Sequence, residues 1–528
     1  MSLILPSCPS QCSQGVLALT NLPAIKQDQR QRWGDTQTHP VVNYGDLFFD
    51  VFFVGAAYNL SNIIRHSPTL KGFLYFVACF WTVYMLWWDK VDYDSRFFTY
   101  DDAVHRVFSV AVLVVLASVI VHVRPVDVLS NPTENIEPFA LSVSLLFAKV
   151  LSMCRYMEIL LIGCVGQNAA LVQARRDARL RVGPVIFLWA ASIYTGIKFF
   201  GSKENLKVSQ EHRLLANEQK MVQYVGETSD IPIYLILGSS AVYTFGTILS
   251  ALLLPEDFKA VTVPVNVTYV IHRIGEWIML MLGESVLSML IVVSPTKGEY
   301  YIAFFCSILS VILLQYLHFR SQPSSPDDHA IRRKRSAGLT FGLLMQVYSA
   351  AIIILGVSYE MFLYSFTVEG GSYRRSMLPR LPRWLAGNFS DPEYDSEDRD
   401  RQVAHFFSAS FAVVYFCSDA ILLTHRGLED NLGRCRCPNS KRAKVKGIVT
   451  ILLRVCIWAF MATLSQWQTD PTLLSAIGLT SIVAQILLRF VASGVFVDDR
   501  VHIDLIENQE MELAADTQGD ENEVKLAD

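Results

Sequence analysis

Apolar runs of about 20 residues recur along the whole chain, and a run of that length crosses the hydrocarbon of a bilayer as a helix. Inside lipid every backbone N–H and C=O needs an internal partner, so helices or a closed barrel are the only spanning forms. Twelve runs can be read, roughly 46–64, 70–88, 104–123, 138–163, 182–201, 231–254, 274–294, 299–319, 337–363, 402–424, 447–467 and 472–494. They are too long and too apolar for barrel strands. Charged residues make up 18 % of the 528, well below the usual quarter of a soluble domain. The expected fold is all-α, a polytopic transmembrane helix bundle of about 12 spans.

The chain divides into five parts. Residues 1–43 form a polar arm expected in the cytoplasm, 44–363 a transmembrane core, and 364–401 an extracytoplasmic loop. Residues 402–496 carry the last helices, and 497–528 an acidic tail expected to be disordered and cytoplasmic. The arm lacks a charged segment ahead of an apolar core, so the first span is expected to serve as the targeting signal. Arg175, Arg176, Arg179 and Arg181 follow the fourth run. Two further basic stretches lie at 320–335 and 426–446. Even numbers of spans separate the three, so all face one side, which the positive-inside rule makes cytoplasmic. Both termini then lie inside, in a plasma membrane or endomembrane. The outer loop carries Asn388-Phe389-Ser390, an acceptor pattern for N-glycosylation.

Carboxylates interrupt the apolar runs. Asp46 and Asp50 stand four apart at the start of the first, on one helical face. Asp46 is equally well placed to cap the helix. In the seventh run His272 and Glu276 can pair at four residues' spacing, with Arg273 between them. With entry near Ile274, Glu284 lies about 15 Å in, near the bilayer middle, beside Gly283 and Ser285, and the glycine allows another helix close approach. A carboxylate at that depth is either half of a structural ion pair or a proton or cation site. Cationic partners on offer are Arg106 and Arg155, the latter three residues before Glu158 on the same face. Lys198, Arg454 and Arg489 stand nearer span ends, where snorkelling explains them.

Trp81, Trp87 and Trp88 read as an interfacial belt. The acids from Asp89 to Asp102 read as a solvated loop, with Asp101 or Asp102 as a helix cap. Net charge is −4 with no basic domain, which argues against nucleic acid as a partner. No nucleotide loop, nucleophile elbow, zinc-protease helix or disulfide framework is legible. No catalytic residue, metal or cofactor is therefore expected. Cys435 and Cys437, without further ligands, are weak evidence for zinc, and palmitoylation of their basic loop is the alternative.

Three motifs in order resemble the bacterial low-temperature-requirement A (LtrA) family. Asp46-Leu47-Phe48-Phe49-Asp50-Val51-Phe52-Phe53-Val54 resembles its Glu-Leu-Phe-Phe-Asp hallmark, with Asp46 in place of the glutamate. Trp87, Trp88, Arg96-Phe97-Phe98-Thr99-Tyr100-Asp101-Asp102 and Arg106 resemble its second motif. His272-Arg273-Ile274-Gly275, then Gly283-Glu284-Ser285, resemble its third. His272 replaces a family glutamate, and Glu276 adds an acid where the family is apolar. The resemblance implies a multi-pass membrane protein and assigns no molecular activity.

The expectation is a secondary transporter or ion-conducting protein and not an enzyme. Asp50 and Glu284, with Asp46, Glu276 and Ser285, would form a proton or cation site tuned by Arg106 or Arg155. Its partners would be membrane lipids and a small ion or small solute, with a homo-oligomer left open. The alternative is a scaffold or sensor whose basic loops bind lipids or proteins.

Overall fold

The structure is a computed structural model. It describes residues 24–25, 44–98, 103–162, 168–216, 228–253, 263, 265–293, 295, 297–323, 329–333, 335–367, 396–433 and 441–493. The elements run β1 (Ala24–Ile25), α1 (Tyr44–His66), α2 (Leu70–Asp94), β2 (Phe97–Phe98), α3 (Ala103–His122), α4 (Val126–Leu129), α5 (Glu137–Ile162) and α6 (Asn168–Ala216). They continue with α7 (Ile231–Leu253), α8 (Val267–Leu290), α9 (Gly298–Ser321), α10 (Ala330–Arg333), α11 (Arg335–Thr367), α12 (Ser396–Gly433), α13 (Lys441–Thr463) and α14 (Pro471–Ser493). Apart from one antiparallel bridge, Ala24 opposite Phe98 and Ile25 opposite Phe97, the described chain is helices and their connections.

Eleven of the described helices are long and apolar enough to cross a membrane. Helix α8, the seventh expected span, is the one of the twelve not among these eleven. At 24 residues it is about 36 Å long, enough to cross, and Arg273, Glu276 and Glu284 set it apart in composition. Side chains are distributed as lipid requires. Val107, Val110 and Val114 of α3 are exposed, as are Ile186, Ile193 and Ile197 of α6, while Lys149, Arg181, Arg273 and Glu360 are buried. Such exposed apolar stripes would be aggregation sites in water and are ordinary against acyl chains.

Helix starts follow local chemistry. Thr69 Oγ1 accepts from the Gly72 N–H at α2, and Asn266 Oδ1 from the Tyr269 N–H at α8. Helix α11 is central, with 67 % of its apolar window buried, and it packs on α8, α12 and α1. Helices α3, α5, α6, α7 and α2 form a second group through the contacts of α5 with α3 and α6, and of α7 with α6 and α2. Helix α1 touches both groups. It buries Phe49, Phe53, Ala56, Leu60 and Ile63 on one face at helical spacing.

Two expected boundaries move. Helix α6 begins at Asn168, so Arg175, Arg176, Arg179 and Arg181 are helical residues and not a loop, and Arg181 is fully buried. Helix α2 runs on to Asp94, which takes Asp89 to Asp94 out of the expected solvated loop. Asp101, Asp102, Asn388, the tail and all of the arm but β1 lie outside the described residues.

Candidate functional site

Asp50 and Glu284 do not meet. They belong to two separate charge clusters, both built on α1 and α8, and on α8 Arg273 and Glu284 stand about 16 Å apart. In the first cluster Arg273 Nη2 donates to Asp50 Oδ1 at 2.7 Å, and Trp87 Nε1 donates to the same oxygen at 3.1 Å. Arg273 Nη1 reaches Glu276 at 2.8 Å, and His272 lies 3.3 Å from Glu276, as its four-residue spacing requires. Asp46 accepts from Lys90 at 2.6 Å and from the Tyr269 hydroxyl at 3.2 Å, so its carboxylate ties α1 to α2 and α8 and is engaged between helices. Lys90 also pairs with Asp94, which Arg155 approaches at 3.4 Å. The cation on Asp50 is thus Arg273, neither Arg106 nor Arg155. Arg106 lies on the exposed side of α3, and Glu158 meets His105 at 3.2 Å instead of Arg155.

Tryptophans build this cluster instead of a belt. Trp87 is fully buried, with its ring centroid 4.6 Å from that of Trp277. Trp88 stacks on Tyr84 at 6.4 Å. A buried indole beside a carboxylate supplies the donor that lipid cannot.

The second cluster joins three helices. Arg65 of α1 and Glu360 of α11 form a buried ion pair, and Arg65 also donates to Asn62 at 2.7 Å. Glu284 of α8 is within electrostatic reach of both and accepts from Ser288 at 3.0 Å. Glu284 is 2 % exposed and Glu360 0 %. Glu284 Oε2 and Glu360 Oε1 each lack a hydrogen-bond partner among the described residues. Of these two buried carboxylates, Glu360 pairs with the guanidinium and Glu284 has only the Ser288 hydroxyl as a hydrogen-bond partner among the described residues.

Close helix approach at this level comes from Gly356 of α11, which lies against Ser285. Gly283 has nothing within 4 Å of where its β-carbon would stand, so the expected close approach beside it does not occur. Ser285 Oγ donates to the Met281 carbonyl at 3.2 Å and, at a long 3.5 Å, to that of Ile352.

These two clusters draw on α1, α2, α8 and α11, and all their members fall within one matched stretch. The family model of the bacterial low temperature requirement A protein (LtrA) matches residues 42–484. The chain belongs to the LtrA family. The match runs from just before α1 into α14, so it takes in every span but the end of the last, and both clusters, including Arg65, Glu284 and Glu360. Neither a curated protein nor a solved structure matches the chain.

A third cluster in this LtrA-family chain escaped the sequence reading. Asp89 accepts from Lys149 at 2.7 Å and from Arg181 at 2.8 Å, all three side chains at most 3 % exposed. Arg181 also donates to Tyr156 at 3.1 Å, its guanidinium 4.1 Å from that ring's centroid. The legible signal was Lys149 itself, a lysine in the middle of an apolar run. Near the other end of the chain Arg454 and Arg489 do not snorkel. Arg454 pairs with Asp419, and Arg489 donates to Ser418 at 2.6 Å and to the Leu317 carbonyl at 2.9 Å.

Proposed function

We propose that this LtrA-family protein is a secondary transporter or ion-conducting protein whose proton or cation site is the Arg65–Glu284–Glu360 cluster. It is read as a non-enzymatic protein with both termini cytoplasmic. One observation carries the reading: two buried carboxylates lie within electrostatic reach of each other and of one arginine, which pairs with Glu360 alone, and each keeps an oxygen without a partner among the described residues. Like charges close together in a desolvated site resist joint ionisation, so a proton or a small cation is the natural third member. Uptake and release of that ion would switch the cluster between neutral and anionic. Because α1, α8 and α11 each contribute one member, the change would bear on how these helices pack.

Asp50, Asp46 and Glu276 take a different part in this reading. Arg273, Lys90 and Tyr269 already engage them, so they hold α1, α2 and α8 together beside the site.

The test uses full-length protein in liposomes containing a pH-sensitive dye. A pH gradient, then a potassium or sodium gradient, is imposed. The wild type should dissipate one of them faster than empty liposomes. Glu284→Gln and Glu360→Gln should abolish that flux while eluting as folded protein. Flux no faster than in empty liposomes, or flux unchanged in both variants, would remove the cluster from the mechanism and favour the scaffold reading.

A further inference from the structure

A cavity of about 1090 Å³ lies between α2 and α7 on one side and α11 and α12 on the other. It is slightly larger than the roughly 300–1,000 Å³ typical of sites for small molecules. One end reaches the helix termini, at Pro68 and Thr69 before α2 and at Ser465 and Gln466 after α13. There His405 and Ser465 meet at 3.1 Å and form part of a polar rim. From Leu70 to Trp81 the α2 wall runs about 16 Å along the helix. The shaft between is apolar, lined by Phe73, Val77, Phe80, Ala350, Ile354 and Val413.

Polar groups return away from that rim. Trp81, Thr244 and Gln346 line the cavity at positions well inside their helices, and Gln346 and Thr244 are 7 % and 8 % exposed. Gln346 Nε2, Trp81 Nε1 and Thr244 Oγ1 have no hydrogen-bond partner among the described residues. A buried polar group left unmet costs about 1–3 kcal/mol. Two of the three are obligate donors, so what they lack is an acceptor. Water suits such a group poorly across an apolar shaft, because it needs several polar neighbours at once. Within a bilayer the molecules at hand are lipids.

We propose that this cavity binds one oxygen-bearing lipid. Its elongated apolar body lies along the shaft, and its carbonyl, carboxyl or hydroxyl oxygen accepts hydrogen bonds from Gln346 and Trp81. Sterols and long-chain fatty acids share this chemistry. The site is independent of the carboxylate cluster, since none of Arg65, Glu284 and Glu360 lines it.

The experiment photolabels the full-length protein with a diazirine sterol and, separately, with a diazirine fatty acid, and maps the adducts by mass spectrometry. One probe should label residues 343–354 or 402–413 and be competed by its unlabelled parent. Ala350→Phe and Ala409→Phe, which fill the shaft, should each cut that labelling about tenfold, the equivalent of roughly 1.4 kcal/mol of binding. Gln346→Leu should weaken competition without filling the shaft. If a shaft variant aggregates on size exclusion, Gln346→Leu and wild-type competition decide. Labelling by both probes confined to outer faces, such as Leu309 and Ile312, would overturn the proposal. So would cavity labelling that neither the folded variants nor the competitors reduce.

Discussion

Gly356 of α11 lies against Ser285 of α8 so closely that a β-carbon on the glycine would stand 2.9 Å from the Ser285 Cα. Backbone, and not a flexible side-chain end, would have to move. Gly356→Ala should therefore destabilise by about 1–3 kcal/mol, the usual range for overpacking, and push apart the helices that carry Glu284 and Glu360. Gly283→Ala, with nothing within 4 Å, should be neutral or stabilising by up to about 1 kcal/mol. Thermal melts of both variants in detergent check the contrast, and equal losses would contradict it.

Asp50 and Arg273 are each about 2–3 % exposed and pair at 2.7 Å. Removing Arg273 leaves Asp50 buried without its counter-charge, at a cost of about 3–5 kcal/mol. Arg273→Met should then be severely destabilised, and Asp50→Leu less so because Arg273 keeps Glu276 at 2.8 Å. The double variant should recover part of the loss. A double-mutant cycle on the melting temperature reads the coupling, and strict additivity would mean that the pair is not coupled.

Lys149 has Asp89 at 2.7 Å and is buried, whereas Arg155 is half-buried beside Asp94 at 3.4 Å. Lys149→Met should cost about 3 kcal/mol, the low end for a broken buried pair, because Arg181 still meets Asp89. Arg155→Ala should cost about 1 kcal/mol or less on ion-pair grounds, plus what its guanidinium gains over Tyr93 and Phe108. Chemical denaturation in detergent ranks the two, and the reverse order would count against this assignment.

His329 and His425 pack with ring centroids 4.4 Å apart, and each accepts a backbone N–H at Nδ1, from Ile331 and Ala330 respectively. A ring that accepts at Nδ1 is neutral. Burial, and then the neighbouring His425, push His329 from its ordinary 6.5 down to about 2. The unfolded chain binds the proton first, so this contribution to stability is complete above pH 6.5. It is lost progressively as pH falls from 6.5 towards 2, at no more than about 1.4 kcal/mol per pH unit. The melting temperature should fall between pH 7 and 5, and His329→Gln should flatten that fall. An equally steep fall in the variant would assign it elsewhere.

Asp230, just ahead of α7, gives a smaller effect of the same sign. Burial works to raise its carboxyl, but hydrogen bonds from Lys71 and Tyr75 and the Lys71 charge outweigh it and hold it below 3.8. The link between α2 and α7 should persist above that range and weaken as pH falls through it, by less than about 1 kcal/mol for so exposed a pair. Asp230→Asn should lose this acid limb in the same melts.

Much of the site was legible where one helix suffices to make the contact. The four-residue spacing of Asp46 and Asp50 does turn both towards α2 and α8, and His272 meets Glu276. Pairings across helices were not legible. Arg155 and Glu158 share a face, yet each finds a partner on another helix. Arg65 falls one residue past the expected end of the first span and drew no reading, and Trp87 looked like an interfacial anchor. Both are interior because neighbouring helices cover them.

A bilayer admits few backbone forms, so run length and charge content alone settled the all-α membrane architecture, and three ordered motifs pointed to the family. Which acid meets which base depended on the rotation and depth of each helix against its neighbours. Those are set by packing over whole surfaces, as where Gly356 admits Ser285, and no local stretch of residues encodes them.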